Sequence, residues 1–403
     1  MEHHITPFAE EIVALLPPLW EQSGETHLMK QAILALFTRL INSMQVESQR
    51  YHAMILPLIN RVVESGSEMQ GYLLDDALDL WAAVLTQTVA PASATLMLLA
   101  PHLFPIFELG SENLRKGLEI TESYLLLAPS EMLQDTVRER LLGSFAALLQ
   151  SVKPSAVGHI TRMLEVLVRV AEGLGGDAAT EVVGSGLVAS GIMGHAVHAL
   201  NLNWEARQTT GPRRLRPPLD GAVATDYLSV FARLALASPG VFTRSVRRAS
   251  TSPDESVAHI LDEWFYHFGN LGDPAQRKLS CLGMTRLLET GEHWILSRMQ
   301  DLMTVWTDVV REVQDGMEDP KADNLVKWDV EGLKPAHPEP PETERRRLFT
   351  FADPVHRTNT LEWINHHLLQ TMERSGGQDA FQREWLVNVD QDIIRSFGEL
   401  GVL

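Results

Sequence analysis

The sequence predicts an all-α chain, a right-handed α-solenoid of HEAT-like helix pairs with no sheet, and three observations carry that expectation. Proline-bearing apolar segments recur as Leu15-Leu16-Pro17-Pro18-Leu19-Trp20, Ile55-Leu56-Pro57-Leu58-Ile59 and Leu103-Phe104-Pro105-Ile106-Phe107. Pro17 to Pro57 is 40 residues and Pro57 to Pro105 is 48, close to the period of roughly 40–47 residues that marks HEAT and armadillo arrays. Hydrophobic residues make up 45% of the chain but aromatics only 7%. Leu, Val, Ala and Met therefore fill the apolar positions, as helix-on-helix packing requires, and period-two strand signals are nearly absent. A length of 403 residues holds about eight or nine such pairs without a two-domain split. Stacked pairs bury one continuous core and leave a long concave surface for another macromolecule.

Taken in order, Phe8 to Glu21 and Glu25 to Met44 form the first pair, broken at Ser23-Gly24, with Leu28, Ile33, Leu36, Phe37, Leu40 and Ile41 as a helical stripe. Arg50 to Glu64 and Tyr72 to Gln87 form the second. In the latter, Leu74, Leu78, Trp81 and Leu85 share one face and Asp75, Asp76 and Asp79 another. Ala92 to Leu109 and Ser111 to Leu127 follow, with Ser111 as N-cap, then Ser130 to Val152 and Pro154 to Leu174, with Ser130 as N-cap and Pro154 in a first turn. Prolines inside the first helices remove hydrogen bonds and bend them. A further long helix ends near Leu200, after which Asn201 to Gly221 reads as a loop, because Pro212, Pro217 and Pro218 forbid a helix through its middle. Helices resume over Ala222 to Ala237, Val241 to Arg248, Glu255 to Asn270, Pro274 to Glu289 and Trp294 to Gln314.

The organisation expected is a solenoid over 1–314, an acidic, proline-rich insertion or linker over 315–359, and capping helices over 360–403, namely Leu361 to Met372 and Gln378 to Phe397. The insertion runs from Asp315-Gly316-Met317-Glu318-Asp319-Pro320 through Pro335-Ala336-His337-Pro338-Glu339-Pro340-Pro341, a composition that suits a mobile linker.

The formal net charge is −18. Residues 1–200 hold 22 acids against 11 bases and residues 201–403 hold 30 against 23, so the chain is acidic along its whole length. Nucleic acid is not expected as a direct ligand, since phosphate neutralisation needs clustered Lys and Arg. A basic protein is the complementary partner. The one basic concentration, Arg207, Arg213, Arg214 and Arg216 with Arg244, Arg247 and Arg248, pairs with acids of the array itself or with those of a partner.

A single cysteine, Cys281, forms no internal disulfide and reads as a small core residue in a reducing compartment, cytosol or nucleus. The N-terminus lacks the basic and apolar regions of a secretory signal. Val182 to Leu200 carries no Asp, Glu, Lys or Arg, but its glycines, serines and histidines make it a packed central helix rather than a membrane span. Gly184-Ser185-Gly186 misses the spacing and the preceding strand of a dinucleotide site. His195 with His198, and His366-His367, lack further ligands for a metal. No nucleophile elbow or activated thiolate is visible, so neither an enzyme nor a cofactor is expected. Trp20, Trp81, Trp264, Trp294 and Trp306 lie on apolar faces and read as packing residues.

The segment Pro338-Glu339-Pro340-Pro341-Glu342-Thr343-Glu344-Arg345-Arg346-Arg347, followed by Ala352-Asp353-Pro354-Val355-His356, resembles the C-terminal signature of the importin-eleven-type karyopherins of the importin-β family. Tyr72-Leu73-Leu74-Asp75-Asp76-Ala77-Leu78-Asp79-Leu80-Trp81, Leu261-Asp262-Glu263-Trp264 and Gly272-Asp273-Pro274-Ala275-Gln276-Arg277-Lys278-Leu279 are similar to stretches of the same family, and the similarity extends from about residue 10 to residue 395.

The resemblance implies the C-terminal part of a nuclear import receptor that shuttles between cytoplasm and nucleus. Such a receptor carries cargo past the FG-repeat nucleoporins of the pore and releases it to Ran-GTP, which binds chiefly through an N-terminal part not matched here. In such solenoids the second helix of each pair lines the concave surface. Carried to this sequence, that makes Asp75, Asp76, Asp79, Glu112, Glu119 and Glu122 the candidate cargo-binding acids. Several carboxylates on neighbouring pairs engage several cations of a basic cargo, such as a ribosomal or ribosome-assembly protein, at once. The other class left open is a static HEAT-repeat scaffold or regulatory subunit that assembles a complex, which periodicity alone does not separate from a receptor.

Overall fold

Val13, Leu16 and Trp20 fall three and four residues apart, and all three are buried, so Ala9–Gln22 is helical (α1) even though Pro17 and Pro18 remove hydrogen bonds inside it. This computed structural model describes residues 8–109, 111–211, 215–317, 319, 322–326 and 339–401, without the side chains of Ser111, Glu112 and Asp254. Helix α2 (His27–Met44) packs back on α1, and α3 (His52–Val63), with Pro57 inside, is followed by α4 (Gln70–Gln87). Short α5 (Ala94–Met97) and α6 (Leu103–Glu108) precede α7 (Ser111–Leu127), α8 (Pro129–Met132) and α9 (Asp135–Ser151). Then come α10 (Pro154–Ala189), α11 (Ile192–Gln208), α12 (Gly221–Ala237), α13 (Pro239–Ala249), α14 (Pro253–Phe268), α15 (Pro274–Arg286), α16 (His293–Leu296) and α17 (Met299–Gln314). The chain closes with α18 (Pro341–Ala352), α19 (Pro354–Arg357), α20 (Thr360–Arg374), α21 (Gln378–Phe381) and α22 (Gln391–Gly398). The class is all-α, and no strand occurs among the described residues.

Several boundaries differ from the sequence expectation, each for a backbone reason. The helix expected over Ala92 to Leu109 is split into α5, a 3₁₀ turn at Ala100–His102 and α6, since Pro101 and Pro105 each lack the amide a continuous helix needs. Ser130 does not cap. Ala128 holds that position with Pro129 after it, and α9 starts only at Asp135. Helix α10 runs past Leu174 to Ala189 across a kink where Gly176 takes φ 54° and ψ −137°. The apolar stretch Val182 to Leu200 is two helices, because Gly191 turns left-handed at φ 85° and ends the first.

No single helix among the described residues is long and apolar enough to cross a membrane. The pair α10 and α11 meets the length and composition together, bent by 68°, but Val183, Leu187, Ile192, Met193, Ala196, Val197 and Leu200 are all buried within the fold. Within 315–359, residues 318, 320–321 and 327–338 lie outside the described residues, and the described part from 339 onward holds α18 and α19. Pro341 and Pro354 stand in the first turns of α18 and α19, where a missing amide costs nothing, and the Asp353 carboxylate accepts from the Val355 amide at 3.0 Å. The last helix expected, Gln378 to Phe397, is broken into α21, a π turn at Gln382–Leu386, and α22.

The chain gathers into two compact units, Met1–Leu148 with Leu333–Thr350, and Leu149–Gly332 with Phe351–Leu403. In the first, α4 packs against α2, α3 and α7. Trp81 and Tyr124 are fully buried there, Trp81 Nε1 donating to the Tyr124 hydroxyl at 2.9 Å and that hydroxyl donating to the Leu96 carbonyl at 2.8 Å. In the second, α12 lies between α10 and α15, and nearly every residue from Val223 to Ala237 is buried. Gly283 makes that approach possible, since a Cβ there would stand 2.7 Å from the Ala232 carbonyl oxygen. Cys281 is a core residue as expected, its thiol pushed up to about 12 by burial. Trp20, Trp81, Trp264 and Trp306 are buried, but Trp294 is only half-buried and donates to Glu292 at 2.7 Å.

Candidate functional site

Helices α4 and α7 of the first unit bring the predicted acids onto neighbouring surfaces. Asp79 reaches Lys116 of α7 at 2.7 Å, and Lys116 lies 4.0 Å from Glu119, which Arg115 also approaches at 3.4 Å. Asp75 and Asp79 are exposed, and Asp76 is half-buried. Burial raises the Asp76 carboxyl pKa, a hydrogen bond with the Gln31 side chain opposes that, and the charges of Asp79 and Asp75 add to the rise. Asp75 borders a groove lined by Ser67, Gln70, Gly71, Tyr72, Leu74, Leu109 and Asn113. Tyr72 is 67% exposed and stacks on His27 with ring centres 4.4 Å apart. An acid beside an open aromatic face suits a lysine or arginine side chain. The Glu112 side chain lies outside the described residues.

Glu122 has a partner that the sequence reading did not assign, for it forms an ion pair with Arg346 of α18. On the same helix, Glu342 accepts from Thr86 of α4 at 3.0 Å and from Ser123 of α7. Arg346 returns to Glu342 at 2.7 Å. Arg345 donates to the carbonyls of Thr88 at 2.6 Å and Leu85 at 3.1 Å, so its guanidinium closes the C-terminal end of α4 and shares the Leu85 carbonyl with the Thr88 amide. Asp79 with Lys116, and Thr86 with Ser123 through Glu342, occur in the same order along both helices, so α4 and α7 run parallel, as second helices of successive pairs do. The sequence carried a signal for the helix itself, Pro341 at a first turn and Glu342 four residues before Arg346, but none for its partners on α4 and α7.

The second unit is tied by buried charge. Asp353 meets Arg233 at 2.9 Å and Arg169 at 3.3 Å, and Arg233 lies 3.8 Å from Glu165. Burial alone raises the pKa of Asp353, yet Arg233 and Arg169 outweigh it and hold the carboxyl below the usual range. Burial pushes the Arg169 guanidinium down to about 10 and the Glu165 carboxyl up. The basic zone of the sequence is spent largely on acids of the same unit. Arg207 pairs with the buried Glu263, Arg244 with Glu181 and Arg247 with Glu292, while Arg213 and Arg214 lie outside the described residues. Among the described residues no group of three His, Cys, Asp or Glu gathers to hold a metal.

The helices follow one another in a wholly helical fold. It matches the solved structure of Lph2, described as a bidirectional nuclear transport receptor of S. cerevisiae, with a TM-score of 0.76 and 18% identity over 98% of this chain and 41% of that one. The chain belongs to the importin-11-like family, whose model, described as importin-11-like TPR repeats, matches residues 31–402. It is similar to importin-11 of Homo sapiens, 25% identical over 98% of this chain and 39% of the relative. It is also similar to the importin beta-like protein kap113 of Schizosaccharomyces pombe, 22% identical over 98% of this chain and 37% of the relative. The chain thus spans less than two fifths of the length of these relatives.

Proposed function

We propose that the chain is the cargo-binding part of a nuclear transport receptor, not an enzyme, and that basic proteins are its cargo. The family match over residues 31–402 carries this reading. The acids of α4 and α7, with Tyr72 open beside Asp75, supply the chemistry. Asp75, Asp76, Asp79 and Glu119 are the acids proposed to meet cargo first, with Glu112 on the same helix as Glu119. Each exposed pair is worth only about 0.2–1 kcal/mol, so capture depends on several at once and weakens with salt. In a receptor of the relatives' full length, release by Ran-GTP and passage along FG-repeat nucleoporins are proposed to follow, with the protein shuttling between cytoplasm and nucleus.

The test is affinity capture from nuclear and cytosolic extract with this chain, eluted in rising salt, beside a parallel capture with a full-length receptor and Ran-GTP. Lys- and Arg-rich proteins eluted by salt, and by Ran-GTP from the full-length receptor, are the expected result. One fixed assembly indifferent to Ran-GTP would instead make the protein a static scaffold.

A further inference from the structure

The C-terminal half of the acidic face is already occupied by the chain itself. We infer that α18 is a displaceable occupant of the α4–α7 face, and that the partner fitting this seat is a basic helical segment with an acid three or four residues before paired arginines. The inference rests on the reading of this face as cargo-binding and names the shape of the ligand.

Three observations support it. The contacts of α18, up to Thr350 within the first unit, are those of a ligand rather than a core helix. Glu342 accepts from Thr86 and Ser123, Arg346 engages Glu122, and Arg345 seats on the carbonyls of Thr88 and Leu85 at the C-terminal end of α4. These groups form a complete recognition set for a Glu-x-x-Arg-Arg helix, with one hydroxyl from each receptor helix for the acid, a carboxylate for one guanidinium and a helix end for the other. Second, Glu342 is the only buried residue of α18, and Leu348 is 48% exposed. A helix held by polar contacts with so little apolar burial opens at low free energy, whereas the receptor side, with Trp81, Tyr124, Leu85 and Leu125 buried, stays formed. Third, Asp75 and Asp79, at the other end of α4, are exposed, so a basic segment gains a foothold there before competing for Glu122.

The probe is a fluorescein-labelled peptide of residues 339–352, titrated by anisotropy against the full 403-residue chain and against its Arg345→Gln/Arg346→Gln variant, whose folding is checked by thermal melting. If α18 competes in cis, freeing the seat raises the peptide's apparent affinity by about tenfold or more, because the binding-competent fraction rises. Equal affinity for the two proteins overturns the inference. Amide exchange of residues 341–350 in the unsubstituted chain gives a second readout: saturation with the peptide speeds exchange if α18 is displaced, and unchanged exchange overturns the inference even if the variant does not fold. An unrelated Lys/Arg-rich peptide separates the two levels. If it fails to bind either protein while the 339–352 peptide binds the variant, the basic-cargo reading falls and the seat stands.

Discussion

The ammonium group of Lys278 lies 2.8 Å from Asp323 Oδ2, and neither side chain reaches solvent. The same carboxylate accepts from the Thr360 amide at 3.0 Å and the Thr360 hydroxyl at 2.6 Å. Helix α15, the segment after α17 and the start of α20 thus meet at one buried ion pair.

Removing one member leaves the other charge buried, which costs about 3–5 kcal/mol. Lys278→Met is therefore expected to lower the stability measured by urea unfolding by about that amount, while Lys278→Met/Asp323→Asn loses much less. Equal losses for the single and double variants would show that packing, not charge, decides this site.

Asp226 gives a pH dependence of known sign. Burial raises its carboxyl from 3.8 to about 6, and the charge of His159 only partly opposes it. Between those values the folded chain binds more protons than the unfolded one, so this group's contribution makes stability fall as pH rises from about 4 to about 6. Because the group is half-exposed, the effect is discounted to about 1 kcal/mol. Asp226→Asn, similar in shape, is expected to raise stability at pH 7 by that amount and to flatten the acid limb of a melting-temperature profile.

Tyr124 has a donor and an acceptor on one hydroxyl, both buried. Tyr124→Phe strands the Trp81 indole N–H at a cost of about 1–3 kcal/mol, while the Leu96 carbonyl keeps the Leu99 amide. Chemical denaturation reads the loss, and an unchanged midpoint would mean that the indole finds a new partner.

Gly283→Ala places a methyl 2.7 Å from the Ala232 carbonyl oxygen. Separating α12 from α15 to admit it costs about 1–3 kcal/mol. Calorimetry is expected to show a lower melting temperature with no loss of far-ultraviolet helicity.

Asp75→Lys/Asp76→Lys/Asp79→Lys removes up to three pairs of about 0.2–1 kcal/mol each and adds repulsion, so affinity for a Lys/Arg-rich cargo peptide falls at least about fivefold. The helical fold is retained, since Asp75 and Asp79 are exposed and Asp76 is half-buried. Unchanged affinity at physiological salt would remove these three residues from the binding face.

Helical periodicity made α2, α4 and α7 legible almost to the residue, because apolar residues spaced three and four apart have to be buried on one side. Breaks inside proline-rich stretches were less legible. Pro341 and Pro354 begin helices, a helix breaks around Pro101, and Pro17, Pro18 and Pro57 stand inside unbroken ones, so a proline by itself does not mark where a helix ends. At the candidate site, the acids Asp75, Asp76, Asp79, Glu119 and Glu122 were legible as residues on second helices, but Arg346 as the partner of Glu122 was not. That pairing joins positions more than two hundred residues apart, and local spacing carries no information about it.

By itself, then, the sequence determined the helical class, the acidic balance and the family resemblance, all of which depend on composition and on neighbours within a few turns. Tertiary structure alone decided which charges are spent. Asp353 and Asp323 neutralise Arg233 and Lys278 inside the second unit, Arg345 and Arg346 fill part of the acidic face of the first, and Asp75 stays open to solvent. The reason is physical: burial and Coulomb attraction act over distances in space, and chain folding sets those distances between residues that the sequence keeps far apart.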